Sequence, residues 1–300
     1  MKSLTSKSEQ RFSFIILILP AVCIYYAVMA FPTVFSVILS VTNYNSGKIF
    51  GNPNIKFSGF ISYIRTFQDP YFYGAMKNNF LIVLMSVFGQ IPLGFILAYI
   101  LSRKLVKGVD FFQAMIYLPN VISPVIIGIL FKSFYLNQDS VYMEILRMFK
   151  PDAEFTISNH PMLPVLFVML WMYAGLYVII FLANIQRIDT SIIEAANIDG
   201  AGEAQTLRHI ILPALSGVIV TSAILAIAGS LKIFDLIFVM TQGGPAQQTN
   251  VLSLYMYSKA FRGASNYPLA NAISTIMVII SFILIGVTRS VEKRFGGREE

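Results

Sequence analysis

Long apolar stretches recur along the chain, and shorter segments between them hold most of its charged residues. A helix needs roughly 20 mostly apolar residues to cross the hydrocarbon layer of a bilayer. Runs of about that length, nearly free of charge, predict six membrane-spanning helices. They cover approximately residues 12–40, 79–101, 111–131, 162–185, 213–240 and 268–288. The pattern therefore predicts an all-α integral membrane protein of about six transmembrane helices.

The first apolar run shares one feature with signal peptides, because Lys2, Lys7 and Arg11 precede it. It stays apolar well beyond the usual core of about 7–15 residues, however, and it has no clean small-residue cleavage site. We therefore expect an uncleaved first span.

Prolines interrupt the early spans at Pro32, Pro92 and Pro124. Proline removes a helix hydrogen bond and bends or breaks the helix. Simple bending for packing accounts for any one of them. Several together suit a bundle whose helices tilt around a cavity.

Composition supports a membrane location. Of 300 residues, 56% are hydrophobic and 12% are charged, against roughly 25% charged in a typical soluble domain. The net charge is +7, but the sequence contains no basic run or basic–aromatic stripe that would indicate nucleic-acid binding.

Lysine and arginine concentrate in short cytoplasmic loops of membrane proteins. Their distribution predicts that both termini and the loop between the fourth and fifth spans lie in the cytoplasm, with a modest cap at 132–160 outside. The expected segments are a cytoplasmic N-terminus (1–11), a first span with an outer loop (12–74), a core domain with the remaining spans (75–290) and a cytoplasmic tail (291–300).

The sequence lacks the motifs of the common enzyme classes. It contains no G-x-x-x-x-G-K-[ST] phosphate loop, no H-E-x-x-H, no C-x-x-C and no G-x-S-x-G. The predicted topology puts His160 and His209 on opposite sides of the membrane, and Cys23 is the single cysteine. We expect a protein that passes a solute, is not an enzyme, holds no metal, and takes any energy from another chain.

The loop between the fourth and fifth spans is the most informative segment. Ser191 followed by Glu194 has the spacing of a capping box, with Asp189 and Thr190 as further N-cap candidates. Gly200 permits a turn where a side chain would obstruct it. A second helical segment covers 203–210. An ordinary amphipathic helix at the membrane surface is one explanation of this pattern.

The residues of this loop also resemble a known signature. The loop reads Glu194-Ala195-Ala196, three residues, Gly200, nine residues and then Ile210-x-Leu212-Pro213. This pattern is similar to the signature of permease subunits of binding-protein-dependent ABC importers. In that family the loop is a coupling helix that docks in a groove of the cytoplasmic ATPase. The resemblance implies a docking element formed by Glu194, Ala195, Ala196, Asp199, Gly200 and Ala201.

A second resemblance concerns the substrate. The segment after the fifth span is similar to that of maltose- and multiple-sugar-type permeases through the following residues: Phe234-Asp235-Leu236, Thr241, Gly243-Gly244-Pro245, Thr249, Leu252, Tyr255, Tyr257 and Ala260-Phe261. It implies a permease in the cell membrane that imports a sugar, with an oligosaccharide as the first candidate. The implied partners are a homologous second permease, two ATPase subunits and an external solute-binding protein. ATP and Mg²⁺ would sit on the ATPase, and this chain would bind no cofactor.

Two other functions stay open. One is a permease for another small solute such as a glycerol phosphate, although the spans carry no arginine cluster for phosphate. The other is a membrane scaffold that transports nothing.

Neutral sugars are bound by hydrogen-bonding groups and aromatic faces. The candidates along the pathway are Asn120, Tyr135, Tyr173, Tyr177, Asn184, Gln242 and Tyr255. For the tyrosines, membership of the aromatic belt at the membrane surface is the competing explanation.

Lys232 and Asp235 lie one helical turn apart in the fifth span. A mutual ion pair would lower the cost of placing both in the membrane. A role of Asp235 in the pathway or in gating is the alternative, because charges within a membrane are commonly functional.

Overall fold

A computed structural model describes residues 7–45, 55–103, 107–135, 141–149 and 161–295. These residues are almost entirely helical, and an isolated antiparallel bridge joins Thr42 to Phe57. Five helical segments are long and apolar enough to cross a membrane, and a sixth span is present if a bent pair of helices counts as one. The predicted all-α membrane architecture is therefore confirmed.

The chain forms two compact units, of which the first comprises Met1–Gln68 and Met256–Ile276. Its helices are α1 (Lys7–Tyr25), α2 (Phe31–Ser40), α3 (Ile61–Gln68) and parts of α15 (Leu252–Phe261) and α16 (Tyr267–Phe295). The first span covers Arg11–Ser40. Within this unit, the Ser36 hydroxyl donates to Oδ1 of Asn271 at 2.6 Å, so a polar contact ties the first span to α16.

The second unit comprises Asp69–Tyr255 and Met277–Glu300. Its helices in chain order are α4 (Pro70–Met85), α5 (Ile91–Ser102), α6 (Val109–Val121), α7 (Pro124–Tyr135), α8 (Val141–Phe149), α9 (Met162–Ile185), α10 (Thr190–Ile198), α11 (Glu203–Thr206), α12 (Leu212–Ala214), α13 (Ser216–Lys232) and α14 (Asp235–Met240). Of the predicted outer cap at 132–160, residues 136–140 and 150–160 lie outside the described residues.

Helix α9 is the centre of the second unit. Its buried face packs against α5 and α6, and Phe181 is fully buried there, with its ring edge against Phe95 at 5.5 Å between centroids. A Cβ on Gly94 of α5 would stand 2.5 Å from Cβ of Tyr177, and a Cβ on Gly175 would stand 2.3 Å from the Ile116 carbonyl oxygen. Small residues let membrane helices approach this closely and gain dispersion contacts.

Short π-helical turns precede three of the prolines. The turns Tyr26–Ala30, Ser86–Gln90 and Leu207–Ile211 each end two residues before a proline, at Pro32, Pro92 and Pro213. Proline has no N–H to donate and its ring crowds the carbonyl of the preceding turn. A locally widened turn relieves that crowding without ending the helix. The expected distortion at Pro32 and Pro92 is thus confined to one turn.

Pro124 has a stronger effect, because it divides the predicted third span at 111–131 into two helices. Helices α6 and α7 meet at an angle of 92°. Ile122 is extended at ψ 140°, and the Ser123 hydroxyl accepts a hydrogen bond from the Val125 N–H at 3.3 Å. A residue before proline avoids the helical region, so Ser123 caps a new helix here.

The fifth predicted span, at 213–240, is also interrupted, between α13 and α14. Ile233 and Phe234 leave the helical region, with ψ of 124° at Ile233. Ser216–Met240 nevertheless qualifies as one candidate span.

Buried amides of α4 hold the loop that follows α14. Nδ2 of Asn78 donates to the carbonyl oxygens of Gln248 and Asn250, both at 2.8 Å. Asn79 accepts from the Leu252 N–H at 2.7 Å and donates to the Ser230 carbonyl oxygen at 3.0 Å. Buried, satisfied amides fix the path of an irregular segment, because unpaired polar groups there would be costly.

Candidate functional site

The loop after α9 begins with a capped helix. The Asp189 carboxylate accepts a hydrogen bond from the Ser191 N–H at 2.9 Å and is the N-cap of α10. This bond lowers the pKa of Asp189, because it stabilises the charged form. The predicted capping box of Ser191 and Glu194 does not form, since Ser191 already lies within the helix. Helix α10 therefore begins two residue positions earlier than that pattern required.

The end of α10 is a Schellman turn. The Ala201 N–H donates to the Ala196 carbonyl oxygen at 2.9 Å, and the Gly200 N–H donates to that of Asn197 at 3.1 Å. Gly200 has φ of +80°, in the left-handed region that this turn requires. The predicted turn at Gly200 is confirmed, but its cause is different. A Cβ there would meet nothing within 4 Å, so backbone conformation alone demands glycine.

A second capped helix follows at once. The Gly202 N–H donates to Oε1 of Gln205 at 2.9 Å at the start of α11. The expected helical segment at 203–210 is present as α11 and the π-helical turn after it. The two caps and the Schellman turn define the shape of this segment by local hydrogen bonds.

An ion pair ties this loop to the end of the second span. Arg103, directly after α5, donates to Glu203 at 2.8 Å between Nη2 and Oε1. The hydrogen bond to Glu203 raises the pKa of Arg103. Sequence reasoning did not identify this pair, because 100 residues separate the partners. Distant residues give no signal of contact in a single sequence.

The loop residues singled out by sequence are exposed or half-buried within this chain. Helix α10 buries none of its nine residues within this chain. Glu194, Ala195, Asp199 and Gly200 are exposed, and Ala196 and Ala201 are half-buried. Two short side chains leave this face of α10 slim, so another protein surface can approach its backbone.

A cavity of about 220 Å³ lies within the second unit, between the π-helical turn Ser86–Gln90, α9 and α13. Its wall is mostly apolar, and uncharged polar groups are contributed by the following residues: Ser86, Gln90, Tyr173, Tyr177 and Ser230. The Ser230 hydroxyl donates to that of Ser86 at 3.0 Å, and Gln90 donates to the Met169 carbonyl oxygen at 3.0 Å. None of the described residues that line the cavity is charged.

The structure brings together only two of the predicted pathway residues. Tyr173 and Tyr177 both line the cavity, Tyr173 half-buried and Tyr177 buried. Sequence reasoning missed Ser86, Gln90 and Ser230, although a polar residue inside an apolar run is itself a signal of an internal site.

The other predicted pathway residues lie elsewhere. Asn184 donates to the Ile180 carbonyl oxygen of its own helix at 2.8 Å. Gln242 is exposed with φ of 52° in the loop after α14, and Asn120 is half-buried in the last turn of α6. Tyr135 stacks on Phe131, with 5.8 Å between ring centroids. None of these four lines the cavity.

Tyr255 makes a structural contact and does not line the cavity. It is buried, and its hydroxyl donates to Asp69 at 2.5 Å. Asp69 is the N-cap of α4, with Oδ1 accepting from the Tyr71 N–H at 3.0 Å. Burial, and then the bond to Asp69, raise the pKa of Tyr255. Its contacts join the start of α4 to α15 within the second unit.

The expected ion pair of Lys232 and Asp235 is not formed. Among the described residues, the salt bridge present is that of Arg103 with Glu203. The break at Ile233 and Phe234 removes the helical register that would have brought the two charges to one face. Both residues are exposed within this chain, and Asp235 does not line the cavity.

Comparison with known proteins gives a consistent result. Residues 90–297 match the family described as "Binding-protein-dependent transport system inner membrane component". The chain is 33% identical over 243 residues to the multiple sugar-binding transport system permease protein MsmF of Streptococcus mutans serotype c, covering 81% of this chain and 83% of that protein. It is 31% identical over 270 residues to the lactose transport system permease protein LacF of Rhizobium radiobacter, covering 88% and 89%.

The fold is similar to that of a chain in a crystal structure of a bacterial alginate ABC transporter in complex with alginate pentasaccharide-bound periplasmic protein. The TM-score is 0.80 at 22% sequence identity, and the similarity covers 97% of this chain and 98% of that chain.

Proposed function

The chain belongs to the family of inner membrane components of binding-protein-dependent transport systems, and we propose that it is the permease subunit of an ATP-driven importer for a carbohydrate. It is an integral protein of the inner membrane, and its part in the system is transport. The proposal concerns its energy source, its partners and the class of its substrate.

The observation that carries the proposal is the geometry of the loop at 189–203. A nine-residue helix with a carboxylate cap, a Schellman turn and no buried residue is shaped before any partner binds. A preorganised helix loses little conformational entropy on docking. In this proposal α10 inserts in a groove of an ATPase subunit, and Glu194, Ala195, Ala196, Asp199, Gly200 and Ala201 form the contact. ATP and Mg²⁺ are bound by that ATPase and not by this chain.

The complete importer in this proposal contains a homologous second permease, two ATPase subunits and an external solute-binding protein. Both termini and α10 face the cytoplasm, as the distribution of lysine and arginine favours. ATP binding draws the docked helices together and turns the cavity outward, and hydrolysis resets it.

The cavity supports a neutral substrate. Hydroxyl, amide and phenol groups line it without a fixed charge, and such groups suit a polyol. A glycerol phosphate would need cationic groups, which the described lining residues do not supply. Two relatives at 33% and 31% identity are named as sugar and lactose permeases. We therefore propose that the substrate is a sugar, with an oligosaccharide as the first candidate.

The test is uptake by the reconstituted complex of this chain, its second permease, the ATPase and the binding protein. We expect ATP-dependent accumulation of a labelled oligosaccharide. In the variant Glu194→Lys, retention of the ATPase during co-purification and uptake should both fall several-fold. The control Gln186→Lys also introduces a lysine, at an exposed position before the loop, and should retain both.

Normal ATPase retention and normal uptake in Glu194→Lys would contradict the docking role of α10. Uptake of glycerol phosphate but of no carbohydrate would contradict the substrate class and leave the transport function intact.

A further inference from the structure

Helix α3 in the first unit buries two hydroxyl side chains and exposes apolar ones, unlike a helix of a soluble protein. Ser62 and Thr66 are buried, at 7% and 0% exposure. Phe60, Ile61 and Ile64 are exposed at 69%, 49% and 55%. A helix in contact with water buries its apolar stripe, so this outward stripe indicates a surrounding other than water.

The height of α3 is fixed by contacts to the end of the first span. Ser40, the last residue of α2, shares a 2.6 Å hydrogen bond between its hydroxyl and that of Tyr63. The Ser58 N–H donates to the Val41 carbonyl oxygen at 2.8 Å, and the Asn43 N–H donates to that of Lys56 at 3.2 Å. These bonds hold α3 at the level where the apolar run of the first span stops, which is the boundary between hydrocarbon and headgroups.

The apolar stripe of α3 continues the apolar surface of that span. Val34, Val37 and Ile38 of α2 are exposed at 59%, 43% and 53%. The stripe begins before the helix with Phe57, exposed at 77%. Arg65 is exposed about 100° around the helix from Ile64. A long arginine side chain there can reach the headgroups while its stem lies along apolar surface.

We infer that α3 lies in the membrane plane, with Phe60 and Ile64 among the lipid chains of the leaflet at which the first span ends. Its buried hydroxyl face packs on the protein, its apolar face enters the lipid, and its Arg65 flank meets the headgroups. Amphipathic helices at the interface bind lipid in this way. The helix would hold the segment after the first span at a fixed depth.

The experiment measures the surroundings of single nitroxide labels. Cys23 is the only cysteine, so Cys23→Ser gives a background in which Ile64→Cys, Phe60→Cys and the control Arg65→Cys can be labelled separately. Each variant is assembled with its partner subunits and reconstituted in nanodiscs of phosphatidylethanolamine and phosphatidylglycerol. Electron paramagnetic resonance then gives the collision rates with oxygen, which is enriched in lipid, and with a nickel chelate, which stays in water.

At positions 64 and 60 we expect a ratio of oxygen to nickel collisions several-fold above that at position 65, although residues 64 and 65 are neighbours. Equal nickel access at 64 and 65 would overturn the inference in favour of an aqueous surface. Low access of both reagents at 60 and 64 would overturn it in favour of a protein partner covering the stripe. None of these readouts depends on transport, so the result is independent of the proposed substrate and energy source.

Discussion

Gly200 adopts φ of +80° in the turn that ends α10, and the space around its Cα is open. The requirement at this position is therefore conformational. A left-handed conformation costs an L-residue with a side chain roughly 1–2 kcal/mol, more for a β-branched residue and less for asparagine. The cost would appear as a distorted loop, because the membrane spans do not depend on this turn.

We expect Gly200→Val to weaken docking of the ATPase and to lower uptake several-fold, whereas Gly200→Asn should retain most of both. The measurement is the ratio of ATPase to permease after co-purification, followed by uptake in liposomes. The permease itself should be recovered in equal amount in the two variants. Equal behaviour of the valine and asparagine variants would show that the positive φ is not what the loop requires.

At the scale of elements, the position of α9 depends on two glycine contacts. Gly94 meets the Tyr177 segment and Gly175 meets the Ile116 carbonyl at distances that exclude any Cβ. Alanine at either position forces helices apart that are otherwise in van der Waals contact. Overpacking of this kind costs roughly 1–3 kcal/mol.

We expect Gly175→Ala to lower the thermal unfolding midpoint of the detergent-purified complex. The matched control is Gly286→Ala in α16, where a Cβ would meet nothing within 4 Å. There alanine should leave the midpoint unchanged or raise it slightly, since alanine favours the helical conformation more than glycine does. Thermal unfolding followed by size-exclusion chromatography compares the two, and an equal effect would argue against close packing of α6 on α9.

At the scale of the whole molecule, the positions of α10 and of the loop after α14 relative to the membrane can be tested together. The positive-inside pattern puts α10 in the cytoplasm, and the single span Ser216–Met240 separates it from that loop. In the Cys23→Ser background, Ser191→Cys should react with an impermeant maleimide only from the cytoplasmic side of oriented vesicles. Gln248→Cys should react only from the opposite side, and both positions are exposed. Labelling of both from one side would contradict the predicted orientation.

The apolar spans, the all-helical architecture and the signature of the loop after α9 were predictable from sequence because each depends on local pattern. An apolar run must lie in lipid, and a helix satisfies its backbone polar groups within that run. The turn at Gly200 was predicted for the same reason, since a Schellman turn is closed by hydrogen bonds among residues that are neighbours in the chain. The N-cap was misplaced because Asp189, Thr190 and Ser191 are all acceptable caps, and their order gives no preference.

Features that depend on packing could not be predicted in this way. Pro32 and Pro92 each need only a widened turn, while Pro124 breaks its helix by 92°. Tyr173 reaches the cavity, whereas Tyr255 is buried against Asp69.

The sequence by itself determined that this protein lies in the membrane, approximately where its apolar helices lie, and which loop carries the exposed helix α10. Only the tertiary structure decided which polar side chains meet in the cavity, that Lys232 and Asp235 stay apart, and that Arg103 pairs with Glu203. The physical reason is distance along the chain. Hydrophobic period and capping act over a few residues, but a contact between residues 100 apart exists only after the helices have packed.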